Sequence, residues 1–344
     1  MKVEVEEIDP RDEAAFDQWF AVVATIDRER WPDKPGWQRV ERLAMATAEG
    51  GPEEHRLLLA RDEGGRALGS ADIEFYNREN LQLARTDVRV LPGHRRRGIG
   101  SALLKVVEQV VAREGRTELG GMDETPVGPG DPRSDEDAAG PFARRHGFAP
   151  IQQLVRRELR LPLNPDHERA LSANPRAEPP GYTMRTFVDR WPDELIEDRC
   201  ELGRRMSTDV PMGEHEFDEE VWDEARVRQI EAAFAAQNRA KVTTVARHDG
   251  TGRLAGFTEI AVPLGAPESV WQHDTLVMRE HRGHGLGYAM KVTNLRALAG
   301  EYPQARSVST WNAAENDHMI AVNDEIGFAV VALSNSWLKR LSAG

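Results

Sequence analysis

A single cysteine, Cys200, stands in the 344 residues. That excludes an intramolecular disulfide, and no Cys/His spacing resembles a zinc site, so no metal is expected. A lone cysteine of this kind reads as a small core residue before it reads as a catalytic thiol. Long apolar runs are also missing. Nothing is long or apolar enough to span a bilayer, and Met1–Glu7 alternates acidic residues without the apolar centre of a signal peptide, so a cytoplasmic protein is expected. The pattern Gly-x-x-x-x-Gly-Lys-Ser/Thr is absent, which weighs against a nucleotide-phosphate binder. Positive charge is in deficit: 45 Lys and Arg face 58 Asp and Glu, a net charge of −13. Neither nucleic acid nor a membrane surface suits that balance. The length allows two domains of ordinary size, each with its own core.

What the chain does contain is a glycine turn, twice. His281-Arg282-Gly283-His284-Gly285-Leu286-Gly287 follows the apolar run Thr275–Met278 and leads into a helical pattern from Tyr288 to Leu298. A strand feeding a glycine-rich turn at a helix start leaves several backbone N–H groups unpaired, where the helix dipole favours an anion. The glycines permit the turn and let a ligand approach the main chain, and Arg282 adds charge. His94-Arg95-Arg96-Arg97-Gly98-Ile99-Gly100 repeats the plan after Thr86–Val90 and before Ser101–Ala112. Arg95 and Arg282 lie 187 positions apart, and at that offset Arg66, Gly69, Ile73, Asp87, Val90 and His94 fall on Arg253, Gly256, Ile260, Asp274, Val277 and His281 without a gap. Chance would not bring the upstream strands into register, so the chain reads as a duplicated domain.

In chain order, Val3–Ile8 alternates like a half-buried strand, and helical patterns follow over Asp12–Ile26 and Gly36–Glu49. Arg56–Arg61 and Ala67–Phe75 form a hairpin, and Thr117–Met122 is a further strand after the first glycine-turn helix. Pro126–Pro132 is loop, Ala138–His146 a short helix closed by Gly147-Phe148, and Gln152–Leu161 strand. Pro162–Tyr182 is proline-rich and reads as a linker, giving domains 1–161 and 182–344 about a 162–181 connection. The second copy has helical periodicity over Trp191–Met206 and Phe217–Gln237, with a turn-rich Ser207–His215 between. Its hairpin is Lys241–Arg247 with Leu254–Val262. Val270–Met278 precedes the turn, Arg306–Trp311 follows its helix, and Asn316–Ile326 is a helix with Gly327 as C-terminal cap. This is an α/β (α+β) layout, two tandem domains each with a mixed, mostly antiparallel sheet flanked by helices.

These residues resemble the GNAT superfamily of acyl-CoA-dependent N-acyltransferases in tandem. Its signature turn, Gln/Arg-x-x-Gly-x-Gly/Ala, matches Arg95–Gly100 and Arg282–Gly287, and its asparagine opening a late helix that ends in Gly-Phe matches Asn316 with Gly327-Phe328. The resemblance implies acetyl-CoA as acyl donor. Its pyrophosphate would lie on Arg282, Gly283, His284, Gly285, Leu286 and Gly287, its pantetheine arm on the strand at Val277 and Met278, with Asn316 nearby. The first copy offers Val90, Leu91, Arg95, Arg96, Arg97, Gly98, Ile99 and Gly100. The copies are unequal: Glu136 stands where the second has Asn316. The family tyrosine taken as acid is replaced by Ala143 and Asn323. Tandem members with the activity in the second half resemble this arrangement, and the second half is the catalytic choice.

Candidate bases are Glu259 and Asp274, with counterparts Asp72 and Asp87, and His273, whose ordinary pKa suits the role. Strand alternation lets only one of His273 and Asp274 line the cleft unless a bulge intervenes. His281 and His284 read as turn residues, and Trp271, Trp311 and Trp337 as core. The acidic Glu216–Glu220 could attract a cation. The expected function is acetyl transfer from acetyl-CoA to a primary amine of a small molecule by direct attack in a ternary complex, in a monomer or homodimer. The alternatives are a protein or peptide N-acetyltransferase and a non-catalytic coenzyme-A-binding sensor or scaffold.

Overall fold

The computed structural model describes residues 3–127, 139–209 and 218–341, in two compact units. The first unit opens with β1 (Glu4–Ile8), α1 (Glu13–Arg30) and α2 (Arg39–Thr47). It continues through β2 (Glu53–Arg61), β3 (Ala67–Tyr76), β4 (Leu83–Val90), α3 (Ile99–Arg113), β5 (Glu118–Met122), the two-residue β6 (Thr125–Pro126) and α4 (Ala139–Arg145). Asp12 caps α1 by accepting from the amides of Ala14 and Ala15 at 3.0 and 3.2 Å. The helix then buries Phe16, Trp19, Val23 and Ile26, three or four apart and so on one face. Strands β1 to β4 pair antiparallel in order, and β4 runs parallel to β5. The crossover between those two is α3, whose Leu103, Leu104, Val107 and Val111 cover the sheet.

The second unit repeats this order. Its β8 (Tyr182–Val188), β9 (Arg239–His248), β10 (Leu254–Pro263) and β11 (Ser269–Val277) are antiparallel neighbours, and β11 runs parallel to β12 (Ser307–Ala313). Between β8 and β9 lie α6 (Ile196–Asp209) and α7 (Glu224–Ala236); α8 (Leu286–Glu301) is the crossover, and α9 (Asp317–Ile326) follows β12. Two glycines show how closely the copies agree. A Cβ on Gly69 would meet the Arg89 carbonyl at 2.6 Å and Leu103 at 3.1 Å, and on Gly256 the Leu276 carbonyl at 2.4 Å and Met290 at 3.1 Å. Each pair of partners is again 187 positions apart. In both copies only glycine lets the crossover helix and the fourth strand come this near.

The domain boundaries expected from the sequence need correction. Strand β7 (Ala149–Arg160) begins in the first unit, yet its Leu154–Arg160 pairs antiparallel with β12 in the second. Conversely β13 (Ala329–Arg340) leaves the second unit, and its Ser336–Arg340 pairs with β5 of the first. Alternation marks a strand and its faces but carries no information about a distant partner. The supposed linker is also structured. Asn164 caps α5 (Pro165–Ala173) by accepting from Asp166 N at 2.9 Å, and Leu171 and Ala177 enter the second unit's core beside Tyr288. Proline at the first helical position starts a helix rather than breaking one. Helix α6 starts later than expected, after Pro192 and the 3-10 turn Asp193–Leu195, and α7 starts at its Asp223 cap. The Pro126–Pro132 loop and Ser207–His215 fall largely outside the described residues, as do Glu136, Glu216 and Phe217.

Helix α8 is buried on almost every side, including Lys291 at 1% exposure. Its Nζ donates to Asn323 Oδ1 at 3.0 Å, and burial pulls its pKa down to about 7. The folded state therefore holds fewer protons than the unfolded chain between about pH 7 and 10.5, so this lysine favours folding at high pH and loses that contribution as pH falls toward 7. Denaturant unfolding of wild type and Lys291→Met at pH 6 and pH 10 should show their stability difference changing by roughly 3–5 kcal/mol in the variant's favour at pH 6. A pH-independent difference would contradict a neutral buried amine.

Candidate active site

Each glycine turn folds as an uncapped helix start. Gly285 is the N-cap of α8 with φ +75°, and Gly98 that of α3 with φ +84°; no side chain caps either helix. Asp12, Asp223 and Asn316 do cap α1, α7 and α9. The first-turn amides of α3 and α8 therefore lack both an intrahelical partner and a side-chain substitute, and they suit an external anion. Arg95 Nε donates to Val90 O and Arg282 Nε to Val277 O, both at 3.2 Å, so each arginine folds back on its own strand. Arg97 is exposed, and Arg96 takes φ +63° where the second copy has Gly283. His284 Nδ1 lies 3.2 and 3.1 Å from the carbonyls of His281 and Arg282, and His281 Nδ1 lies 3.0 Å from Tyr182 Oη. Both histidines are turn residues here.

The strand beside the cradle has an open edge. β11 pairs with β12 only from Ser269 to Trp271, and beyond that point the two strands continue unpaired. Met278 N donates to Ala255 O at 2.9 Å, and Leu91 N likewise to Leu68 O at 3.0 Å. Strict alternation then turns the Val277 and Val90 amides away from β10 and β3, toward the open side. Of the strand pair expected to polarise a thioester, Val277 has the amide free for it, and Met278 is engaged in the sheet. Asn316 uses its Oδ1 to accept from Met319 N at 3.2 Å, so it acts on the helix end.

The three candidate bases are brought together by a bulge. Thr258 faces Thr275 and Ile260 faces Gln272, so Glu259 stands opposite both His273 and Asp274. Glu259 is buried, accepting from Trp191 Nε1 and Thr243 Oγ1 at 3.2 Å and from Lys241 Nζ at 3.1 Å. Burial pushes its pKa up, but the charges of Lys241 and Arg199 outweigh that and bring it to about 2. Asp274 is different. It has no hydrogen bond among the described residues, and burial together with the Glu259 charge raises its pKa. His273 is exposed on β11, while the protein packed around it and the Lys241 charge lower its pKa to about 4. Its ring meets Phe234 edge-on at 5.5 Å. Phe234 and Lys241 in turn line a cavity of about 650 Å³ among α6, α7 and β9.

The first unit fills the same place. Asp72, the counterpart of Glu259, is buried against Arg42 and lies 3.1 Å from His55 Nδ1; burial opposes its ionisation, but these two partners hold it well below the usual carboxylate range. Asp87 pairs with Arg89, and β3 and β4 run in register without a bulge. A Cβ on Gly100 would meet the Phe142 ring at 3.3 Å, whereas one on Gly287 meets nothing within 4 Å. Sequence reasoning missed Arg199, Lys241 and Lys291: a charged residue in a helix or strand looks the same in sequence whether it is buried or solvated.

Comparison with known proteins agrees with this geometry. The family model described as an acetyltransferase (GNAT) domain matches residues 53–150, which include the first cradle. The tandem GNAT protein from the clavulanic acid biosynthesis pathway, solved without AcCoA, is 29% identical over 100% of this chain and 99% of its own, with a TM-score of 0.81. A GCN5-related N-acetyltransferase from Sphaerobacter thermophilus is 17% identical over 98% of this chain and 95% of its own, with a TM-score of 0.65. One from Kribbella flavida is 13% identical over 99% and 72%, at 0.52. No curated protein matches the sequence. Fold and turn geometry resemble those of acetyltransferases. Residues 53–150 match a GNAT acetyltransferase domain, and the whole chain is similar to a tandem GNAT protein, with the same order of elements in each unit.

Acetyl-CoA suits the second cradle, because the uncapped turn and the space over Gly287 leave room for a pyrophosphate against the main chain. Gly287→Val should fold, with Tm within a few degrees of wild type, and lose more than about tenfold in acetyl-CoA affinity by calorimetry. Gly100→Val should instead strain the contact with Phe142, lowering Tm and leaving that affinity unchanged.

Proposed function

We propose that the second unit transfers acetyl from acetyl-CoA to a primary amine of a small molecule, by direct attack in a ternary complex. The observation that carries this reading is Asp274: a carboxylate without a hydrogen-bonding partner, raised in pKa, placed by a bulge on the strand that also presents the Val277 amide. Bound acetyl-CoA supplies an electrophilic thioester carbonyl. The amides of Gly285, Leu286 and Gly287, with Arg282, hold the phosphates, and the Val277 N–H faces the open strand edge, where it stabilises negative charge without reorganising. Asp274 takes one proton from the incoming ammonium, its raised pKa making it a stronger base than an exposed carboxylate; the free amine then forms the C–N bond as the C–S bond breaks, and the departing thiolate takes up the second proton shed by the nitrogen. Glu259, already saturated, acts by its charge on Asp274 and by fixing Lys241. His273 is neutral at pH 7. Asn323 offers no acid: it is buried between Lys291 and Asn312. The first unit, with Asp72 neutralised and Phe142 on its cradle, serves as scaffold.

Three measurements test this. Thiol release from acetyl-CoA over a panel of small primary amines should be saturable in both substrates, with intersecting initial-rate patterns; parallel patterns would mean a covalent acyl-enzyme. Asp274→Asn should lower kcat about 10²–10⁴-fold with acetyl-CoA affinity within twofold of wild type. Because the base must be ionised, kcat/KM should fall as pH drops through the raised Asp274 pKa, a limb that disappears in the variant.

A further inference from the structure

The cavity lined by Phe234 and Lys241 is strongly charged, and its charges are almost all answered from within. Lining it, Arg190 pairs with Asp193 at 3.0 Å, Arg228 with Glu231 at 3.0 Å and Lys241 with Glu259 at 3.1 Å. Its carboxylates are engaged too: Asp189 accepts from Lys241 N at 2.9 Å and Glu231 from Trp191 N at 2.7 Å. Arg199 is the exception. It lines the same cavity at 5% exposure, makes no hydrogen bond or ion pair among the described residues, and its Nη1 is a buried donor with no acceptor.

What surrounds Arg199 is aromatic. Its guanidinium carbon lies 4.2 Å from the Trp222 ring centre, 4.9 Å from Phe257 and 5.4 Å from Trp191. Trp222 is held there by contact with α6: a Cβ on Gly203 would stand 2.3 Å from the indole. Ring faces fix the plane of a guanidinium and attract its charge, but they accept no in-plane hydrogen bond. A buried cation left in that state is costly unless an anion arrives to complete it. The charge of Arg199 also acts on Asp274 and Glu259, so this cation without a hydrogen-bond acceptor lies within electrostatic reach of the base.

We infer that Arg199 receives the carboxylate of the acceptor, and that the acceptor is an amino acid or a similar small molecule carrying both a primary amine and a carboxylate. The inference rests on the acyl-transfer reading. The amine faces Asp274 at the β11 bulge, and the carboxylate takes the two-pronged edge of Arg199 from the cavity side. Carboxylate geometry matches that edge, whereas a neutral amide would leave the cation uncompensated.

The test compares α-, β- and γ-amino acids, each against its own primary carboxamide, in the thiol-release assay. The carboxamide has the more readily deprotonated amine, so chemistry alone favours it. In at least one pair the amino acid should lead by about 30-fold or more in kcat/KM, mostly through KM. Arg199→Gln should erase that lead by lowering the amino acid to the carboxamide's level, and Arg199→Lys should restore part of it; calorimetry with acetyl-CoA reports that each variant is folded. Equal or better use of the carboxamides by wild type overturns the inference and leaves acyl transfer standing. No thiol release with any amine, with acetyl-CoA still bound, removes the acyl-transfer reading instead. In that case, quenching of tryptophan fluorescence by N-acetyl amino acids decides the carboxylate site. Saturation in wild type and none in Arg199→Gln retains it, and no saturation in wild type dismisses it.

Discussion

The second unit depends on one buried carboxylate. Glu259 ties β10 to β9 through Thr243 and Lys241 and to the segment before α6 through Trp191, while its carbonyl oxygen accepts from Gln272 across the β11 bulge at 2.6 Å. Leaving such a charge without its partner costs about 3–5 kcal/mol, so the ion pair with Lys241 is fixed in place. The fixed charge then acts at a distance. It makes the neighbouring Asp274 harder to ionise and so a better proton acceptor, and the bulge that accommodates Glu259 turns both His273 and Asp274 to its side.

The first unit shows what happens when the same arrangement closes on itself. Asp72 occupies the matching position, but Arg42 approaches it from α2, with its guanidinium 5.1 Å from the rings of both Trp19 and Trp37. The carboxylate, its cation and the aromatic shell are all present, and the cation is consumed internally. In the second unit Glu259 pairs with Lys241 from β9, and a separate aromatic shell of Trp191, Trp222 and Phe257 surrounds Arg199. Duplication thus left two copies of one scaffold with the buried carboxylate answered by an arginine in one and by a lysine in the other.

Much of the fold could be read along the chain because it is locally written. The amphipathic spacing of α1 and α3, the cap at Asp12, the glycine turns and the register of the two copies all rest on neighbours within a few residues. The cradle was legible for the same reason. The exchange of β7 and β13 between units was not, since a strand's alternation is indifferent to which edge it joins. Nor was the helix of 165–173, where an Asn-Pro pair reads as a turn until core contacts by Leu171 hold it. Of the proposed bases, the sequence placed Glu259, His273 and Asp274 near one another but could not separate them.

The sequence by itself determined the duplication and the two glycine turns that open α3 and α8, because glycine positions and helix starts follow from backbone sterics. Only the tertiary structure decided that Glu259 is paired while Asp274 has no hydrogen bond among the described residues, and that Arg199 and Lys291 are buried without an ion pair there. Ionisation and affinity for an anion depend on burial and on charges brought from distant parts of the chain, and these exist only once the strands and helices have packed.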